Sequence, residues 1–345
     1  MNSNQRHRLL KRWLLMAVIL MAPSSALTVS GQSRDKQLRE KVENTLLARY
    51  FGKNNIDTAY VIRPKTKWTV KARLNVSGAE LETEGREENG QHFKSEIEAE
   101  RKTTVSLAVS YLGISLSASL NPKKLWGKNS DYELNINCYG KRLGFDFIYQ
   151  DAKNFEGWYD QDGLPGRIYL QPDMLNVKTL NANAYYCFNS RHFSYPAAFS
   201  QSYIQRRSAG SFLLGASIQS QHAKLNWEDD NGVQQQEELK MDNIGIGAGY
   251  GYNFVPGKGW LLHISALPTF IVYSNTSMTF ANNSVPLHYH FPEVIITARA
   301  AVLYQWGNMF AGISSVYNFT NIGDKESLSV YNSKWRTRAF VGIRL

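Results

Sequence analysis

Apolar and polar residues alternate along short runs of this chain. Trp68, Val70, Ala72, Leu74 and Val76 share one face against Thr69, Lys71, Arg73, Asn75 and Ser77. A period of two marks a β-strand, because successive side chains point to opposite faces. The pattern recurs at Val105–Tyr111, Ile114–Leu120, Tyr132–Tyr139, Phe145–Tyr149, Leu180–Phe188, Phe212–Ile218, Ile244–Tyr252, Trp260–Val272, Val294–Tyr304 and Trp335–Leu345. Met309–Phe319 reads as one more strand whose faces the pattern does not assign. Asp35–Phe51 differs: Leu38, Val42 and Leu46 recur every four residues among charges, which predicts an amphipathic helix. Gly52–Lys67 reads as an extended lead-in.

The first hairpin has a second signal. Asn89-Gly90 suits a two-residue type I′ turn. That turn sets Trp68 opposite Tyr111, Val70 opposite Val109 and Val76 opposite Thr103, so the apolar faces coincide. Around the chain, long polar connections follow every other strand, and tight turns follow most of the rest. Aromatic residues crowd the strand ends, among them Trp68, Tyr111, Tyr149, Tyr252, Trp260, Tyr304 and Trp335. About twelve strands, alternating loop lengths and aromatic girdles predict an all-β fold. The fold is a single antiparallel up-and-down transmembrane β-barrel with a short N-terminal helix. A soluble sandwich or lipocalin-like barrel is the alternative; it would bury the same apolar faces inside.

Composition adds a location. The chain has 345 residues, 43% hydrophobic and 12% aromatic, and its mean hydropathy is negative. These values exclude a helical membrane protein. Arg6, Arg8, Lys11 and Arg12 precede a short apolar core and small residues, as in a signal peptide. The expected organisation is a signal peptide over 1–31, cleaved after Ala26 or Gly31. A periplasmic helix and lead-in follow over 32–67, and an outer-membrane barrel over 68–345. The leader carries four basic groups and no acid, so its loss lowers the formal charge from +10 to about +6. That balance is too mild to predict nucleic acid. The two cysteines, Cys138 and Cys187, fall on opposite faces of non-adjacent strands, so no disulfide is predicted.

Several segments resemble a known family. They are Thr66–Val70, Lys128–Glu133, Phe193–Phe199, Ser202–Ser211 and Gly249–Asn253. They resemble an uncharacterised domain-of-unknown-function family of Bacteroidetes outer-membrane β-barrel proteins. The resemblance covers nearly the whole mature chain. It implies an outer-membrane barrel and supplies no activity or catalytic residue.

Two constellations are candidates for function. Lys71, Arg73, Arg299, Arg336, Arg338 and Arg344 all face inward and form a candidate basic seam. Inward acids are Glu133, Asp146 and Glu293, with Glu96, Glu98 and Glu100 farther up the second strand. The seam predicts either a narrow channel for small anions or a packed lumen whose charges pair across it. The second constellation is the long connection Asn189–Gly210. Ser194 caps a predicted helix with Pro196 in its first turn. Phe199 and Tyr203 lie one turn apart, Arg206 and Arg207 close it, and Gly210 stops it. It reads as a plug entering the lumen or a docking surface for a periplasmic partner. A hydrolase is the remaining class, with His263 and Ser265 at i and i+2 but no orienting carboxylate. His288, His290 and Glu293 read as loop polarity rather than a metal site. The expected protein is therefore not an enzyme and takes no cofactor. Its partners are outer-membrane lipid and the barrel-assembly machinery, which reads the C-terminal strand. That strand ends in Leu345 where such signals usually end in an aromatic.

Overall fold

The computed structural model describes residues 56–345 except 67, 87–89, 112–113, 121–131, 164–165, 172–173, 229–233, 281–282, 287–291 and 325–327. The signal peptide and the amphipathic helix lie outside the described residues. In chain order the strands are β1 (Val61–Ile62), β2 (Trp68–Arg86), β3 (His92–Ala99), β4 (Lys102–Tyr111), β5 (Ile114–Leu120), β6 (Tyr132–Tyr139), β7 (Leu143–Ala152), β8 (Phe155–Gln161), β9 (Ile168–Tyr169) and β10 (Leu175–Cys187). A five-residue helix, α1 (Tyr195–Phe199), and β11 (Ile204–Gln205) follow. Then come β12 (Ala209–Glu228), β13 (Gln234–Phe254), β14 (Trp260–Phe280), β15 (Asn283–Pro286), β16 (Val294–Trp306), β17 (Met309–Asp324) and β18 (Leu328–Arg344).

Antiparallel pairing runs β2-β4-β5-β6-β7-β10-β12-β13-β14-β16-β17-β18 and returns from β18 to β2. The ring therefore has the expected twelve strands. Its last step joins the chain ends, with Trp68 N donating to Leu345 O at 3.0 Å and Leu345 N to Trp68 O at 2.9 Å. Among the described residues, β5 and β6 pair through Ile114 and Cys138. Both cysteines are free.

A continuous apolar belt faces outward. Leu74, Leu107, Ile136, Phe145, Phe212, Ile218, Ile246, Ile264, Val302, Ile313 and Val341 are all exposed. Ile264 is 69% exposed, which a soluble core position would never show. On β13 the belt runs from Ile244 to Phe254. Ten steps of about 3.3 Å at a tilt of about 40° give about 25 Å of height, the apolar band of a membrane barrel. Aromatics rim it at the tight-turn end, where Trp260, Tyr304 and Trp306 pack at 4.9 and 5.7 Å.

Above the belt the polarity inverts. On β12 and β13 the pair Ile218–Ile244 still faces outward, but the next outward pair is Ser220–Asp242. Higher still, Lys240 and Glu238 face outward while Leu239, Met241 and Ala223 are buried inside. The strands thus continue beyond the belt as an ordinary water-soluble barrel with an apolar core. Alternation persists through the switch, so the runs read from belt residues alone stop short of the true strand ends.

The first hairpin keeps the expected register near the belt, with Trp68 opposite Tyr111 and Val76 opposite Thr103. Above Glu100 and Arg101, which leave the strand, pairing slips by one residue: Leu81 faces Ile97 and Arg86 faces His92. That register does not fit the expected two-residue turn at Asn89-Gly90; Gly90 has φ 83°. A slip of one residue exchanges faces. Phe93 therefore turns inward to join Leu81, which the unbroken alternation of β2 already places there, and Glu96 and Glu98, expected inside, turn out. The slip also frees β3 to pair with β8, so the predicted long loop over 151–177 contains two further strands. The faces of β17 also resolve: Ile313 points out, while Phe310 and, beyond the expected strand end, Ile322 are buried inside.

The position of the switch is testable. Ile264→Arg, in mid-belt, is expected to lower folding stability in bilayers by about 2–4 kcal/mol, whereas Gln236→Arg, above it, changes stability by less than about 1 kcal/mol. Urea titration of folding into lipid vesicles measures both.

Candidate functional site

The interior at the belt and just above it is crossed by polar ties. Arg299 on β16 donates to Asp146 on β7 at 2.6 Å, with side chains 1% and 8% exposed. Arg336 on β18 pairs with Glu133 on β6. Lys334 donates to Gln150 on β7, and Asn332 to Gln221 on β12. None of these strand pairs is adjacent in the ring, so each tie spans the lumen. Above the ties, Leu175, Val177, Leu239, Met241, Ile271, Ile295, Ile322, Leu328 and Val330 form the buried apolar core. A cavity of about 40 Å³ lies between these layers, among Gln150, Thr179, Gln219, Asn332 and Lys334. That is room for a few waters.

Below the ties the lumen is filled by the connection 188–208. The helix there is shorter than expected. Ser194 Oγ caps it, accepting from Ala197 N at 3.2 Å, and Pro196 sits in the first turn as predicted. It ends at Ser200, however, not at Arg206. Gln201 adopts φ 58°, and its Nε2 donates to Ala198 O at 2.7 Å. Lys71 Nζ donates to Ser200 O at 2.9 Å and to Gln201 Oε1 at 3.0 Å. Arg344 Nε donates to Gln201 O at 2.9 Å. Cations from β2 and β18 thus satisfy carbonyls left free at the helix end and stop it there. Past that stop, Tyr203 is buried, while Arg206 and Arg207 are exposed. These two lie against the N-terminal segment: Arg206 N donates to Tyr60 O at 2.7 Å, and β1 pairs with β11.

Phe193 and Tyr195 are completely buried against Tyr185, Leu213 and Leu267 of the barrel wall. The wall makes space by using glycine. A Cβ on Gly144 would lie 1.9 Å from the Tyr185 ring, and one on Gly249 would lie 2.1 Å from Ala266 O. The glycines of β13 therefore admit the plug and the neighbouring backbone; no helix follows them, and they cradle no phosphate.

His263 and Ser265 do meet, and they have an orienting group that inspection of the sequence missed. His263 Nδ1 is 2.7 Å from Asn253 Oδ1, and Nε2 is 3.0 Å from Ser265 Oγ. Asn253 Nδ2 donates to Ser194 O and Gln205 Oε1, both at 3.0 Å, which turns its oxygen toward the imidazole. Nδ1 is then the protonated nitrogen and Nε2 the acceptor. Tyr195 donates to Ser265 Oγ at 2.7 Å. Burial raises the Tyr195 phenol above its ordinary value, so it remains a neutral donor. Asn253 and His263 are direct partners across the β13–β14 turn, so pairing those strands about Val255–Gly259 would have found the contact.

The candidate seam is therefore not one continuous surface. Lys71 and Arg344 grip the plug, Arg336 and Arg299 pair with separate acids, and Arg299 sits on another wall. Arg73 and Arg338 face inward on adjoining strands with no hydrogen-bond or ion-pair partner among the described residues. Glu293 is buried and its Oε1 accepts from Gly323 N at 2.8 Å. His288 and His290 lie outside the described residues.

The profile of a family described as a domain of unknown function (DUF4421) matches residues 55–344. The chain belongs to this family. No curated protein matches. Among solved structures, the DUF4421 chain is similar to the outer membrane protease OmpT from Escherichia coli. Identity is 8% and the TM-score 0.46, over 81% of this chain and 97% of that one. It is also similar to the β domain of the Bordetella autotransporter BrkA at 10% identity and TM-score 0.33, over 77% and 98%. The translocator domain of NalP from Neisseria meningitidis matches at 12% identity and TM-score 0.25, over 90% and 98%. None of the three lends a role to this chain.

Asp146→Asn or Arg299→Met alone is expected to cost about 3–5 kcal/mol, because each leaves one buried charge unpaired. Asp146→Leu combined with Arg299→Met should recover most of that loss. Denaturant unfolding of the two singles and the double decides it.

Proposed function

We propose that this DUF4421 protein is an outer-membrane β-barrel with a closed lumen, structural in character and not an open pore. The outward apolar belt supports the membrane reading. The closed-lumen reading rests on one observation, the filled interior: plug below, cross-lumen ties in the middle, apolar core above. An exported chain with a C-terminal strand closing the ring is the form that barrel-assembly machinery inserts, and that machinery is the partner we infer. The short-turn side carries Arg206, Arg207 and the N-terminal segment, which makes it the surface for a periplasmic partner.

The hydrolase reading is weaker for a physical reason. A reacting carbonyl needs to approach Ser265 Oγ within about 3–3.5 Å. Tyr195 already holds that oxygen, and Phe193 and Leu267 pack around it. The hydrogen bonds each contribute about 1 kcal/mol. Truncating a buried aromatic such as Phe193 costs about 3–5 kcal/mol. Plug burial therefore dominates, and the Ser265–His263–Asn253 network serves as its polar anchor.

Planar-bilayer recording tests the reading. The intact protein is expected to show no steady conductance, and deletion of Pro196–Arg207 should produce one while the barrel still assembles. Steady anion-selective conductance by the intact protein would overturn it in favour of the narrow anion channel.

A further inference from the structure

We propose that Arg73 and Arg338 form a binding site for a phosphate-type oxyanion inside the barrel. The inference starts from charge. Lys71 and Arg73 on β2, and Arg336, Arg338 and Arg344 on β18, face inward on two adjoining strands. Lys334 on β18 and Lys102 on β4 bring the inward cations of this side to seven. The acids that face this wall are already engaged: Glu133 takes Arg336, and Asp146 takes Arg299. The plug takes Lys71 and Arg344 through neutral carbonyls and an amide, which satisfy donors without cancelling charge.

Arg73 and Arg338 are the remainder. Arg73 lies opposite Phe340 and Arg338 opposite Asn75, so the two are diagonal neighbours on the inner face. Such neighbours are about 7–8 Å apart at the backbone, within reach of one bridging anion for two long side chains. Both point into the lumen, yet neither is fully buried. Farther along β18, at the plug, Arg344 is 2% exposed and its Nη1 has no partner. Like charges gathered in a low-dielectric interior call for a counter-charge. Two planar guanidinium forks favour an oxyanion that can accept several N–H bonds at once. Ser106 and Ser314, inward neighbours of Arg73 and Arg338 across β4 and β17, are hydroxyl donors flanking the pair.

The site does not depend on whether the lumen conducts, so its test is separate from the conductance test. The full-length barrel in neutral detergent is titrated with inorganic phosphate, against chloride at equal ionic strength, by calorimetry and by thermal unfolding. A second arm uses short-chain phosphatidic acid against the matching phosphatidylcholine, to separate free phosphate from a lipid headgroup. One phosphate-type ligand per chain is expected, with affinity reduced at least tenfold in Arg73→Gln and in Arg338→Gln. Arg206→Gln, outside the lumen, should leave it unchanged. The variants carry a second readout. Without phosphate each lumen variant should melt higher than the parent, because it removes repulsion; with saturating phosphate the order should reverse. Equal stabilisation by phosphate and chloride, or phosphate binding that survives both lumen substitutions, would overturn the proposal. So would lumen variants that melt lower than the parent in both buffers, since that marks a purely structural role.

Discussion

A charge that points inward at the level of the apolar belt has little water to turn to, and the lipid side is closed to it. Most such charges here meet a partner across the lumen or in the plug. This constraint organises the interior more than any local propensity does. Arg299 reaches Asp146, Arg336 reaches Glu133, and Lys334 reaches Gln150, each from a non-adjacent strand. Side chains that touch across a ring of twelve strands draw its walls together. A wide aqueous channel and these contacts are mutually exclusive. β18 is the hub, supplying one partner to three of the four ties and to the plug.

The same logic explains why the barrel changes character above the belt. Once water replaces lipid outside, outward side chains become Glu238 and Lys240, and inward ones become Leu239 and Met241. The apolar core that forms there closes the far end of the lumen, as the aromatic plug closes the near end. Between the two closures lies a thin polar layer, and nearly all the lumen's charge resides in it. One interior is thus solved twice with apolar packing and once with ion pairs. Among the described residues, the ion pairs that cross the lumen are Arg299–Asp146 and Arg336–Glu133.

Much of this was legible from period alone. Strand count, the lower register of the first hairpin and the outward placement of Ile264 or Ile246 follow from alternation. What failed to be legible has identifiable causes. Glu96 and Glu98 were placed on the wrong face because one irregular step at Glu100–Arg101 leaves no compositional mark. The predicted helix to Arg207 overran because its stop, Gln201 at φ 58°, is not a residue type that marks one, and it is held by Lys71 and Arg344, more than a hundred residues away in sequence. Asn253 was missed because its partner, His263, lies beyond a turn, and only pairing the two strands sets them side by side. Tertiary contacts, not propensities, decided each of these.

The two cations that grip the plug flank the seam where the ring closes. Lys71 belongs to the first strand of the ring and Arg344 to the last, and the strands join through Trp68 and Leu345. Both side chains converge on Gln201. Neither strand alone offers this grip, because each supplies only part of the donor set. The complete socket for Ser200 and Gln201 therefore exists only when β18 has paired with β2. Closure joins residues 68 and 345, the two ends of the barrel sequence. The plug sequence lies midway between them, so the grip on it draws on both ends of the barrel at once. The full donor set that holds the plug is in this way a consequence of closure.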